Sequence, residues 1–272
     1  MTAENPTAAG VNKAPAAPAY PAGRNLLAGQ SVLVTAAAGT GIGFAAAKRC
    51  LEEGASVVVS DMHPRRLGEA AERLREIAPH RVHALPCDVT RQQDVDALVA
   101  DAMELLGRID VLINNAGLGG TASVIDMTDA EWARVLDVSL TSVMRMTRAI
   151  LPHMQARGRG AIVNNASVLG WRAQAGQSHY AAAKAGVMAF TRCAAIEAAP
   201  FGVRINAVAP SIAMHAFLAK TTTPELLADL ARREAFGRPA EVWEVANVMV
   251  FLASDLASYL TGEILSVSSQ HP

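Results

Sequence analysis

Ser31-Val32-Leu33-Val34-Thr35-Ala36-Ala37-Ala38-Gly39-Thr40-Gly41-Ile42-Gly43 is the stretch whose reading decides the fold. Its first five residues are mostly apolar and rich in β-branched side chains, the pattern of a short buried strand. A turn of small residues follows, and Phe44 to Glu53 then reads as a helix closed by Gly54. Strand, glycine-rich turn and helix together make a phosphate-binding arrangement. Small residues let the backbone approach a pyrophosphate, while the helix start supplies unpaired N–H groups and the positive end of its dipole. A second apolar strand, Ser56 to Ser60, ends at Asp61. An acidic residue there, roughly twenty positions beyond the glycines, is placed to accept hydrogen bonds from the ribose hydroxyls of a dinucleotide. Its charge also repels a 2′-phosphate, so NAD is expected over NADP. Arg65 and Arg66 point the other way, because either can reach a 2′-phosphate; the alternative is that they open a solvated helix.

Working outward, the chain alternates strand and helix. Strands are expected at Ser31 to Thr35, Ser56 to Asp61, Val82 to Asp88, Val111 to Asn115, Ala161 to Ser167, Arg204 to Pro210 and Glu263 to Val267. The segments between them carry apolar residues at helical spacing, as in Val95, Leu98, Val99, Ala102 and Leu105. The expected fold class is α/β, a single Rossmann-type, doubly wound parallel sheet of about seven strands with helices on both faces and ligand at the carboxyl ends of the strands. Residues 1–25 read as a mobile Ala/Pro-rich tail, because they hold too little apolar surface to offset their ordering entropy. Residues 26–272 read as one catalytic domain. Within it, residues 211–237 form a long insertion of the kind that closes over substrate as a lid, with an amphipathic helix through Leu226, Leu227 and Leu230.

The chemistry is carried by Ser178-His179-Tyr180-Ala181-Ala182-Ala183-Lys184, with Ser167 thirteen residues before Tyr180. A spacing of four puts the phenol and the ammonium on one face of a helix. A phenol titrates near pH 10. A neighbouring ammonium favours the phenolate and brings it toward use as a general base. Ser167 can hydrogen-bond the same reacting oxygen. This is chemistry for interconverting an alcohol and a ketone, and it requires a hydride carrier nearby. A lone Tyr-x-x-x-Lys also arises as a partly buried ring beside a solvated charge; the upstream phosphate turn is what favours the catalytic reading.

Composition agrees and excludes other classes. The chain has 272 residues and a formal net charge of −1, with no basic block, so nucleic acid and anionic membranes are not implied. No apolar stretch is long enough to span a bilayer, and the start lacks a secretory pattern. Cys50, Cys87 and Cys193 are scattered and odd in number, reading as reduced thiols in a cytoplasmic protein. His179, His215 and His271 have no metal-ligand spacing, so no metal is expected.

Taken in order, these motifs resemble the short-chain dehydrogenase/reductase family over nearly the whole length from Leu27. The resemblance rests on Thr35 with Gly41-Ile42-Gly43, Asp88 in Cys87-Asp88-Val89, Asn114-Asn115-Ala116-Gly117, Ser167, Tyr180, Lys184 and Pro210. It implies a cofactor site built from Thr35, Gly39, Thr40, Gly41, Ile42 and Gly43 at the phosphates, with Asp61 at the ribose. Asp88 and Val89 would lie at the adenine, and Asn115, Ala116 and Gly117 along the cofactor wall. Pro210 and Ile212 would lie near the nicotinamide, and Lys184 with Tyr180 would hold its ribose. It also implies a homotetramer built through two long helices, Asp129 to Met154 and His179 to Ala199.

Departures from the family pattern are informative. Ala36 or Ala37 stands where the family has its first glycine, and the turn is one residue longer before Gly41. Ser139 replaces an asparagine that in the family helps a water link the lysine to bulk solvent, so Ser139 is a candidate for that relay. Pro210-Ser211 replaces Pro-Gly, and Ser268-Ser269-Gln270-His271-Pro272 replaces an Asp-Gly-Gly ending.

The segments Thr35 to Gly43, Asn164 to Gln174, Gln177 to Tyr180 and the last seven residues resemble an actinobacterial group within the family. That group acts in cholesterol C/D-ring catabolism on a bicyclic ketone carried as its CoA thioester. The resemblance implies oxidation of a ring hydroxyl on such a thioester. A 3-oxoacyl-thioester reductase is the alternative, and a non-catalytic dinucleotide sensor the remote one. Trp171, Arg172 and Gln174 should border the reacting carbon. Trp171 can pack on an alicyclic ring or plug a subunit contact, and Arg172 can meet a phosphate or carbonyl or stay solvated. Met214 and Phe217 suit an apolar ligand wall, and Lys220 can reach CoA phosphates or sit plainly on the surface.

Overall fold

The computed structural model describes residues 15–214, 218 and 223–270. Strands β1 (Ser31–Val34), β2 (Ser56–Asp61), β3 (Val82–Pro86), β4 (Val111–Asn114), β5 (Gly160–Asn165), β6 (Val203–Pro210) and β9 (Ile264–Val267) form one sheet in the order β3-β2-β1-β4-β5-β6-β9. Every neighbouring pair is parallel. A second, two-stranded sheet pairs β7 (Ala213–Met214) with β8 (Ala240–Glu241).

The central strands are apolar throughout because both faces are covered. The period of two sends Val32, Val34, Val57, Val59 and Ile113 to one face. There they meet α1 (Ile42–Glu52), α2 (Pro64–Arg75) and α8 (Val242–Ala253). Leu33, Val58, Leu112 and Ile162 point the other way, onto α3 (Gln92–Leu106), α5 (Ser142–Arg157) and α6 (Ser178–Ala198). The chain leaves β1 for β2 and β3 on one side, then returns to β4 on the other. This switch point opens a crevice at the carboxyl ends of β1 and β4, where open α/β sheets bind ligands.

The long helix expected from Asp129 to Met154 is interrupted. It begins as α4 (Asp129–Leu136), started by a reciprocal Thr128–Glu131 capping box, then loosens into a π-helical turn at Asp137–Thr141 before α5. In the insertion, α7 (Pro224–Arg233) is amphipathic as expected but fully buries none of its residues. Phe217, His215 and Lys220 lie outside the described residues, as do residues 1–14 of the expected tail.

From Tyr20 onward that tail is held down. The Tyr20 ring meets Trp243 edge to face at 5.5 Å, and its hydroxyl donates to Glu52 at 2.6 Å. Lys48 Nζ lies 4.0 Å over the same ring. The Arg24 and Leu26 amides donate to Glu53, itself buried and paired with Arg49. Residues 20–26 therefore form a strap across the end of α1, where the sequence alone suggested free chain.

All three cysteines are free, and burial pushes the Cys50 and Cys87 thiols up to about 12, leaving them inert at neutral pH. No described helix is long and apolar enough to cross a membrane.

Candidate active site

The turn between β1 and α1 bends twice. Ala36 has φ +50° and Gly39 φ +102°. A left-handed alanine is the local answer to the missing first glycine, and Gly39 absorbs the extra residue. Gly41 caps α1 without any side-chain hydrogen bond, so the first N–H groups of that helix keep their capacity for an anion. Gly43 admits no side chain: a Cβ there would lie 2.4 Å from both Ala36 O and Asn115 Nδ2. Thr40 is exposed on the turn, and Ile42 opens the helix.

Thr35 is buried, and its hydroxyl accepts from the Asn115 and Ala116 amides at 3.0 and 3.2 Å. It thus ties the ends of β1 and β4 together from inside the sheet. Asp61 receives the Ala38 amide at 3.3 Å and the His63 amide at 3.0 Å. Burial raises its carboxyl pKa, opposed by the Ala38 bond and by Arg66. Arg65 turns away to an exposed pair with Glu69. Arg73 is a cation the sequence reading missed. It stacks 4.3 Å over the Phe44 ring and points NH1 toward Gly39 O at 3.4 Å. Asp88 closes a turn by accepting from the Thr90 amide and hydroxyl, and Val89 packs against the core.

Ser167 and Tyr180 meet at the end of β5. Ser167 starts a short 3-10 turn, and its hydroxyl also accepts from the Leu169 amide. Burial raises the Tyr180 pKa, and the hydrogen bond with Ser167 opposes that shift. Lys184 is only 2% exposed; burial lowers its pKa to about 8. Its ammonium donates to Asn165 O at 2.6 Å and lies 5.5 Å from the Tyr180 ring centroid. The ammonium is seated on a strand carbonyl, and desolvation governs both groups.

Gly117 and Gly119 lie over this pair: a Cβ on Gly117 would be 3.3 Å from Lys184 Nζ, and one on Gly119 3.9 Å from the Tyr180 ring. Ser139 is held by the same loop. Its hydroxyl is fully buried, donates to Leu118 O and accepts from Leu118 N, both at 2.9 Å. Its single proton is engaged by that carbonyl, so the Ser139 side chain clasps the glycine loop.

Beneath the site runs a buried polar ladder. Asn114 donates to Asn164 at 2.9 Å, and Asn164 donates to Thr191 at 2.9 Å. On the opposite face of β5, Asn165 donates to Asn115 Oδ1 at 3.0 Å. Two asparagines ending an otherwise apolar strand were the available signal for these contacts.

The residues expected at the substrate bring together three distant segments. Arg172 donates to Gln270, whose amide donates to the buried Glu234 at 2.8 Å. Glu234 also accepts from the Ser269 hydroxyl at 2.8 Å. The loop after Ser167, the end of α7 and the C-terminal segment are thereby joined. Trp171 and Gln174 are exposed, whereas Pro210 is buried and Ile212 and Met214 are half-buried. A separate cleft of about 480 Å³, lined by Arg159, Arg204, Asp255 and Tyr259 among others, lies at the opposite, amino edge of the sheet and contains none of these residues. Among the described residues, no cluster could hold a metal ion.

Comparison with known proteins adds four findings. The family described as Enoyl-(Acyl carrier protein) reductase matches residues 36–269. The chain is 65% identical, over 94% of its length and 98% of the relative's, to the (5R,7aS)-5-hydroxy-7a-methyl-1-oxo-2,3,5,6,7,7a-hexahydro-1H-indene-carboxyl-CoA reductase of Mycobacterium tuberculosis. It is 41% identical, over 88% of its length and 95% of the relative's, to cis-4-hydroxycyclohexanecarboxylate dehydrogenase of Sinomonas cyclohexanicum. Among solved structures, a short chain dehydrogenase from Mycobacterium smegmatis superposes with a TM-score of 0.85 at 58% identity, covering 94% of this chain and 99% of that one.

Proposed function

The chain belongs to the short-chain dehydrogenase/reductase family and is an oxidoreductase, and from that premise we propose that it interconverts a ring alcohol and ketone on a bicyclic, steroid-derived CoA thioester with NAD(H). The observation that carries the chemistry is the Tyr180 hydroxyl hydrogen-bonded to Ser167 beside the buried Lys184. The substrate class rests on kinship with the M. tuberculosis indene-carboxyl-CoA reductase. A relative acting on a hydroxycyclohexane ring supports an alicyclic alcohol as well.

The residues present fit a nicotinamide dinucleotide. The start of α1 is uncapped by any side chain, backed by Gly43 against Ala36, and bordered by the Asp61 carboxylate. Asp61 favours NAD over NADP, since a 2′-phosphate there would meet a negative charge. When bound, the dinucleotide accepts or supplies the hydride. The protein's own groups handle the proton. Ser167 holds the substrate oxygen, and Tyr180 exchanges a proton with it. In the ketone direction the raised phenol pKa keeps Tyr180 protonated as the donor. In the alcohol direction it must first lose that proton, which the Ser167 hydrogen bond and the nearby Lys184 ammonium favour. Trp171 has an exposed ring that can pack on the alicyclic system, and Arg172, which donates to Gln270, is the cation for a phosphate or carbonyl of the thioester.

We further infer a homotetramer, on family resemblance. The exposed Val124, Ile125 and Trp132, ahead of and on α4, are apolar surface such an assembly would cover. A cytoplasmic location is inferred from the free thiols.

The test is NADH formation from the CoA thioester of the hydroxy-indanone acid with NAD⁺, beside 3-hydroxybutyryl-CoA under identical conditions. Strong preference for the bicyclic thioester supports the reading. Activity on the short linear thioester alone leaves the Ser167–Tyr180–Lys184 chemistry standing and overturns the substrate class.

A further inference from the structure

Asn165 acts in two directions. Its backbone carbonyl seats Lys184 Nζ at 2.6 Å, and its side-chain amide donates to Asn115 Oδ1 at 3.0 Å. Asn115 in turn donates through Nδ2 to Thr35 O at 3.3 Å and Ala36 O at 3.0 Å. The amide orientations follow from chemistry. Two carbonyl oxygens face one end of Asn115, which requires its NH₂ there. Its oxygen must then face Asn165, and Asn165 must answer with its own NH₂. The path ends on Ala36, a non-glycine residue held in the left-handed region, and beside Gly43 at the start of α1.

Stability alone does not account for an amide at this place. Asn165 Oδ1 is buried and has no hydrogen-bond partner among the described residues. A half-satisfied buried amide is less favourable than an apolar side chain of the same shape. We propose that Asn165 is a positioning residue that locks the phosphate-binding turn, through Asn115 and Ala36, to the strand seating Lys184. The two ends of the dinucleotide site are thereby held at one separation. This rests on the reading of that site as a nicotinamide-dinucleotide site.

The experiment measures NADH affinity by cofactor fluorescence for the full-length protein, Asn165→Leu, Asn115→Ala and the double variant, with substrate KM and thermal stability alongside. In Asn165→Leu the NADH dissociation constant rises roughly tenfold, the effect of losing one buried hydrogen bond. Substrate KM changes by less than about twofold, because no substrate-side contact is altered. On the Asn115→Ala background, Asn165→Leu adds nothing further to the NADH effect. A merely structural role would move the melting temperature and leave NADH affinity alone. Unchanged NADH affinity in Asn165→Leu overturns the proposal, and so do additive effects in the double variant. If Asn165→Leu does not fold, Asn165→Ser replaces it, and unchanged affinity there is equally decisive. Failure of the unmodified protein to bind NADH would instead sink the dinucleotide reading.

Discussion

Replacing Lys184 by methionine should abolish turnover and make the protein more stable at neutral pH. Lys184 is 2% exposed, and burial lowers its pKa from 10.5 to about 8. The unfolded chain holds this proton up to about 10.5 while the folded protein releases it near 8. Between those values the unfolded state binds more protons, so wild-type stability rises with pH, and below them the full penalty applies. At about 1.4 kcal/mol per pKa unit, the buried ammonium disfavours folding by roughly 3 kcal/mol at pH 7 and roughly 2 kcal/mol at pH 9. Loss of the hydrogen bond to Asn165 O offsets about 1 kcal/mol of the gain, with little dependence on pH. The stability advantage of Lys184→Met should therefore shrink by roughly 1 kcal/mol from pH 7 to pH 9. Urea unfolding followed by circular dichroism, at both pH values and one protein concentration, reads this difference. A difference that stays constant or grows between pH 7 and pH 9 refutes the reasoning.

Other perturbations follow the same geometry. Tyr180→Phe removes the only phenolic proton at Ser167, so turnover should fall by at least about a thousandfold while NADH affinity stays near wild type, as kinetics and fluorescence titration would read. Gly43→Ala places a methyl 2.4 Å from Ala36 O and Asn115 Nδ2, and calorimetry should find NADH binding lost even where the variant folds. Tyr20→Ala removes the Trp243 edge contact and the Lys48 cation, lowering unfolding free energy by about 1–2 kcal/mol in denaturant titrations without changing NADH affinity. Alcohol oxidation should rise with pH above neutrality and ketone reduction should fall, because the raised Tyr180 pKa favours the protonated donor; pH profiles in both directions check this.

What the sequence determined by itself is whatever depends on short-range spacing. The alternation of apolar strands with helical periodicity placed all seven strands of the main sheet to within about two residues. The four-residue step from Tyr180 to Lys184 shares a helix face in any context, and the glycine turn after β1 announced the uncapped start of α1. What only the tertiary structure decided joins residues far apart in the chain. The Asn165–Asn115 contact spans 50 residues, Asn115–Ala36 spans 79, and Arg172–Gln270 spans 98. The strap over α1 at Tyr20 belongs to the same class, since an Ala/Pro-rich segment carries no local sign of what it will pack against. Ser139 illustrates the boundary. Its place in the chain marked it as part of the site, but whether its hydroxyl faced Lys184 or Leu118 depended on where the π-turn and the glycine loop came to rest. Side-chain pattern sets the element and its face; the partner across the fold is set by the sheet order that brings the strand ends together.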